Sequence, residues 1–143
     1  EYFKEIDASK IIQNQNGESL DYPYLDSYWT DSDRMAVGIL FKNEKVGFVL
    51  VNAWTICKKF NAEKSIAEFY IRPQYRRKGI GKWVVHELFN QYKVKWEVKQ
   101  SSSNLRAIQF WRNTISEFSN GNFQEKTRLE NKETVVLQLF ESK

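Results

Sequence analysis

The sequence predicts an α+β fold, a mixed, mostly antiparallel sheet flanked by helices. Six segments have the length and the β-branched or alternating pattern of strands, and two longer segments between them repeat their apolar residues at helical spacing. Two short polar turns join neighbouring strands as hairpins. At 143 residues and 41% hydrophobic, the chain fills one core, so a single domain over 1–143 is expected.

Residues 1–30 carry no clean period. "EYFKEI" reads as helical, 14–17 as a loop, and 20–29 as an aromatic and acidic segment. "MAVGILF" (35–41) and "VGFVLVNAW" (46–54) are apolar strands joined by the polar turn "KNEK". "SIAEFYI" (65–71) is a third strand, ended before Pro73, which has no N–H to extend a ladder. From Gly79 the period changes: Ile80, Val84, Leu88 and Tyr92 stand four apart, and Trp83, Val85 and Phe89 widen the stripe of a helix packed on a sheet. "VKWEVKQ" (94–100) is a strand, and Asn104 caps a second helix over 104–116, with Leu105, Ile108, Trp111 and Ile115 on its apolar side. "FQEKTRLE" and "ETVVLQLF", joined by "NK", form the terminal hairpin.

Charge narrows the partners. Lys and Arg exceed Asp and Glu by 22 to 18, a net +4 that permits an anionic ligand but falls short of a dedicated polyanion binder. The cations gather on one turn, which argues against a basic nucleic-acid-binding module, the second reading. A single cysteine, Cys57, excludes an internal disulfide, and no apolar run approaches the roughly 18 residues of a membrane span. A cytoplasmic protein without membrane contact is expected.

The cationic turn lies in "IRPQYRRKGIGKWVV", where Arg72, Arg76, Arg77, Lys78 and Lys82 surround Gly79 and Gly81 just ahead of a helix. A helix start exposes unpaired N–H groups and about half a positive charge, and glycines let an anion approach the backbone. The order strand, basic turn, glycines, helix therefore reads as a cradle for a diphosphate. It is not a P-loop, which separates its glycines by four residues, nor a dinucleotide fingerprint, which places a third glycine where Val84 stands.

Arg76-x-x-Gly79-x-Gly81 after a strand and Pro73 resembles the coenzyme A site of the GNAT superfamily of N-acetyltransferases. "WEVKQSSSNLRAIQFW" is similar to that superfamily's next strand, its asparagine and the start of its following helix. The likeness extends over about 35–140 and is nearest to a branch of uncharacterised bacterial predicted acetyltransferases. It implies acetyl-CoA as cosubstrate, no metal, and acetyl transfer to a primary amine of a small molecule or peptide. Self-association into a homodimer and a GNAT fold that binds CoA without catalysis stay open.

Residue by residue, the resemblance places the diphosphate on the backbone from Arg77 through Lys78, Gly79, Ile80 and Gly81 to Lys82, with the 3′-phosphate near Arg76 or Lys78. Ile71 stands where the family uses a main-chain N–H to polarise the thioester carbonyl. Asn104 matches the asparagine that reaches the pantetheine arm, against which Trp111 is expected to pack. The family opens with a strand and two helices; because "EYFKEI" reads as the end of the first helix, the first strand is expected to be missing and the chain to be N-terminally incomplete.

The chemistry asks for more. An alkylamine with pKa near 10.4 is neutral only on the order of one part in a thousand at pH 7, so a general base is needed. Glu97, in "WEV", is the favoured base by its alignment with the family, and Glu68 is the alternative. Many relatives carry a tyrosine where Trp111 stands, and indole cannot protonate a thiolate. Tyr70, on the strand parity of Glu68, is a candidate acid, as are the tyrosines of "DYPYLDSYW". That last segment, with Asp21, Tyr22, Tyr24, Asp26 and Trp29, could attract and enclose a cationic amine. His86 and Cys57 read as non-catalytic.

Overall fold

The computed structural model describes Phe3–Asp7 as backbone and residues 34–143 in full. The expected acceptor residues Asp21, Tyr22, Tyr24, Asp26 and Trp29 lie outside the described residues. Two compact units divide the chain: one comprises the segments up to Asn52 together with Ala67–Glu87, the other Ala53–Ile66 together with Leu88–Lys143.

The first unit has the hydrogen-bonded strand order β1-β2-β3-β4. β1 is Phe3–Asp7, paired parallel to β2, Met35–Phe41, from Phe3 opposite Ala36 to Asp7 opposite Leu40. The helical start and missing first strand expected from "EYFKEI" are thus corrected. A segment this short cannot hold a helix by itself, whereas as a strand its backbone groups pair along β2. β2 runs antiparallel to β3, Glu44–Asn52, through a two-residue turn. Lys42 and Asn43 both take positive φ, 52° and 68°, as a type I′ hairpin turn requires. All seven residues of β2 and the last seven of β3 are buried, which explains their nearly unbroken apolar composition. β4, Lys64–Ile71, belongs to this unit from Ala67 on; it leads through a short 3-10 helix, Pro73–Tyr75, to α1, Ile80–Gln91.

The second unit has the order β4-β5-β7-β6. The first three residues of β4, 64–66, pair parallel with Trp96–Val98 of β5, Lys95–Ser101. β5 is antiparallel to β7, Glu133–Glu141, along its whole length, and β7 to β6, Gln124–Glu130. Asn131 and Lys132, at φ 51° and 68°, make the second type I′ turn. α2 spans Leu105–Ser119; Asn104 accepts the Ala107 N–H at 3.1 Å as its N-cap. Its apolar stripe is Ile108, Trp111 and Ile115, while Leu105, expected on that stripe, is 73% exposed in the first turn.

One side of this sheet is aromatic: Phe89 lies 5.1 Å from Trp96, 5.2 Å from Phe118 and 4.7 Å from Phe140, in tilted or edge-on pairs. On the other side Cys57, Ile56 and Phe60 cover Val135, Leu137 and Leu139 of β7. Among the described residues no helix is long and apolar enough to cross a membrane.

Candidate functional site

The turn between β4 and α1 is where the first unit leaves polar backbone and charge open. Arg77 has φ 62° and Gly79 φ 81°. For Arg77 the left-handed region costs on the order of 1 to 2 kcal/mol. Such strain is found at ligand-binding loops, as well as in the hairpin turns at Lys42 and Lys132. Left-handed residues in such a turn bring successive N–H groups to one concave side, the geometry of an anion nest. The first helical bond of α1 runs from Trp83 N–H to Gly79 C=O at 3.1 Å, so the amides of the first turn project from the helix end. No acidic residue lies in that turn. Arg77, Lys78, Gly79 and Lys82 are exposed. A Cβ built on Gly79 meets nothing within 4 Å, so the glycine serves conformation and leaves open space above the nest.

The approach to the nest is braced. Arg76 donates through Nε to the Ile71 carbonyl at 2.7 Å, and its guanidinium stands 5.5 Å from the Tyr70 ring centre. Part of its hydrogen-bonding capacity therefore holds the turn to β4. Tyr75, which sequence reasoning gave no place in the site, donates its hydroxyl to Glu44 at the β2–β3 turn and packs edge-on against Phe41 at 6.0 Å. The bond to Glu44 pushes the Tyr75 phenol above its ordinary value of 10.0. Arg72 N–H donates to Val46 C=O at 2.7 Å, tying the end of β4 to β3.

Ile71 is buried at the end of β4, and Tyr70 is 37% exposed with its ring 5.8 Å from Phe48. Glu68 is exposed on the same strand parity. Ile71 and residues 76–82 thus form one continuous turn with Tyr70 beside it.

The remaining expected site residues belong to the second unit. Glu97 is 1% exposed, and its two oxygens accept the N–H groups of Ile56 at 2.7 Å and Cys57 at 3.0 Å. The carboxylate expected to serve as base is thus a backbone anchor for the 55–57 turn. Alignment within "WEV" could not reveal this, because its partners lie about forty positions earlier. Asn104 is exposed and caps α2; Trp111 is 5% exposed and packs edge-on against Phe110 at 5.1 Å. Sequence reading also missed a polar chain. Gln100 donates to Gln138 at 2.6 Å, Gln138 to Glu125 at 3.1 Å, and Arg112 closes on Glu125 at 2.6 Å. The Arg112 guanidinium holds the Glu125 carboxyl below its ordinary value. Among the described residues no cluster of three His, Cys, Asp or Glu could hold a metal ion.

A family model described as the Acetyltransferase (GNAT) family matches residues 4–114. Similar solved structures include an acetyltransferase from Thermus thermophilus, at 12% identity and a TM-score of 0.64, covering 82% of this chain and 70% of that one. The ribosomal-protein-S18-alanine N-acetyltransferase from Escherichia coli is 14% identical at a TM-score of 0.60, with 87% and 92% covered. Spermidine N-acetyltransferase from Vibrio cholerae, in complex with CoA and spermine, is 10% identical at 0.61, with 83% and 72% covered. At such identities the likeness is one of fold. A comparison with curated proteins found no match.

Proposed function

Because the chain belongs to the Acetyltransferase (GNAT) family, we propose that it is an acetyl-CoA-dependent N-acetyltransferase acting on a primary amine of a small molecule or peptide. The observation that supports this best is the open helix start at 77–82: an anion nest with Arg77, Lys78 and Lys82 around it and no acid in the first turn. A spermidine N-acetyltransferase and a ribosomal-protein alanine N-acetyltransferase among the similar structures favour an amine acceptor.

In this reading the diphosphate of acetyl-CoA rests on the amides of 77–82 and the thioester carbonyl accepts the Ile71 N–H. The neutral amine attacks the carbonyl carbon, a C–N bond forms, the C–S bond breaks, and the thiolate takes a proton. The Ile71 N–H stabilises the oxyanion as it develops. With Glu97 buried and held by two amides, Glu68 is the proposed base and Tyr70 the proposed acid, both exposed on β4. Asn104 and Trp111 keep their proposed places along the pantetheine arm, and Asp21, Tyr22, Tyr24, Asp26 and Trp29 theirs around the amine.

The test is release of CoA thiol from acetyl-CoA across a panel of polyamines, amino sugars and peptide N-termini. Amine-dependent thiol release is expected, falling about a hundredfold in Glu68→Gln with CoA affinity kept. CoA binding without thiol release from any amine would reduce the protein to a CoA-binding module.

A further inference from the structure

Gly47 lies on β3 beside the end of β4, in a position that admits no side chain. A Cβ built on it would stand 2.1 Å from the Tyr70 carbonyl oxygen and 3.1 Å from both Cα and Cδ1 of Ile71. Side chains of a strand stand roughly perpendicular to the sheet, whereas ladder carbonyls lie in its plane. An oxygen that close to the Cβ position has therefore left the plane, toward the face that a Gly47 side chain would occupy. The peptide that follows is back in register, since Arg72 N–H meets Val46 C=O at 2.7 Å. The turn in the backbone is therefore seen at the Tyr70–Ile71 peptide and has ended by Arg72 N–H.

A trans peptide is planar, with its C=O and N–H pointing in opposite directions. With the Tyr70 carbonyl over Gly47, the Ile71 N–H is turned to the other face of the strand. That face carries Phe48 and Tyr70, whose rings lie 5.8 Å apart, with the Arg76 guanidinium over Tyr70. The Ile71 side chain lies on the Gly47 side, its Cδ1 being 3.1 Å from the Cβ position. The turned amide therefore faces the side on which Arg76 leads into the nest.

We infer that Gly47 is a positioning residue: by leaving its face empty it lets the Tyr70–Ile71 peptide rotate, and so presents the Ile71 N–H to the thioester carbonyl. This rests on the acetyl-CoA reading above. Any Cβ at position 47 forces the carbonyl back toward the ladder and withdraws the N–H, while the amides of 77–82 stay where they are.

The discriminating readout is the preference for acetyl-CoA over CoA, since only the former carries the carbonyl that the Ile71 N–H would meet. Wild type and Gly47→Ala are compared by calorimetry with both ligands and by turnover. In the variant, CoA affinity is expected to stay within about threefold, the acetyl-CoA preference to vanish, and kcat to fall about thirtyfold or more, the size of losing one oxyanion donor or somewhat less. CoA binding with the preference and kcat unchanged overturns the inference alone; no CoA binding by the wild type overturns the acetyl-CoA reading and this inference with it. If Gly47→Ala does not fold, the wild type labelled with 15N-isoleucine decides. The Ile71 amide resonance is expected to move on adding acetyl-CoA and to stay put with CoA, and an equal response to both overturns the proposal.

Discussion

The start of α1 and the end of α2 use the same backbone device to opposite ends. Gly79 before α1 has φ 81°, and Gly121 after α2 has φ 83°; neither has anything within 4 Å of where a Cβ would stand. At the end of α2 the chain satisfies itself: Gly121 N–H bonds Ser116 C=O at 2.8 Å, and the left-handed Asn120 donates to the same oxygen. At the start of α1 the turn adds a strained Arg77 and exposed cations, and brings no acid to the helix start. A helix end that its own chain closes serves stability, and one left open beside charge has N–H groups that can receive an anion. Glu97 belongs with the closed end, because both of its oxygens are taken by backbone amides.

The largest effect that sharpens this contrast is at Glu97. Glu97→Ala leaves the Ile56 and Cys57 amides without acceptors in a buried place, and about 3 kcal/mol of stability should be lost. CoA affinity should stay within about threefold wherever the variant is folded. Denaturant unfolding beside calorimetry checks both. A stable variant that has lost turnover instead would restore Glu97 to catalysis and break the division between closed and open groups.

The smallest effect concerns the closed polar chain at Glu125. Its carboxyl titrates below its ordinary value of 4.5 because Arg112 bonds it. A folded pKa lower than the unfolded one adds stability that is present above 4.5 and is lost as pH falls through the folded pKa. The pair is half open to solvent, so its contribution is modest. Glu125→Gln should melt about two degrees below wild type at neutral pH, and the gap should close as pH falls from 4.5 through the folded pKa. A gap that persists once the carboxyl is protonated in the folded protein would place the contribution in packing rather than in charge.

Much of the fold was legible because local chemistry and tertiary structure agree. "KNEK" and "NK" are hairpin turns, with φ positive at Lys42 and Asn43 and again at Asn131 and Lys132. The four-residue spacing of Ile80, Val84 and Leu88 is a buried helical stripe. "EYFKEI" carries no clean period of its own, and its pairing along the edge of β2 is what makes it a strand. The proposed cradle rests on Gly79 and its cations, which the sequence displays, whereas the left-handed Arg77 carries no signal in its residue type. Gly47 did leave a trace, as a glycine inside a strand pattern marks close backbone approach, but the strand that approaches comes from a distant part of the chain. The partners of Glu97 are equally remote. What sequence reading misses here are contacts made between segments, such as those that take both oxygens of Glu97.

Calorimetric titration of CoA into wild type, Gly79→Val and Gly121→Val tests the central claim most directly. Both substitutions place a β-branched residue at positive φ in open space, so each should lose about 1 to 2 kcal/mol of stability. CoA affinity should fall about thirtyfold or more in Gly79→Val, stay within about threefold of wild type in Gly121→Val, and weaken with added salt in the wild type. Equal CoA affinity in all three proteins would contradict the assignment of the open start of α1 to the diphosphate.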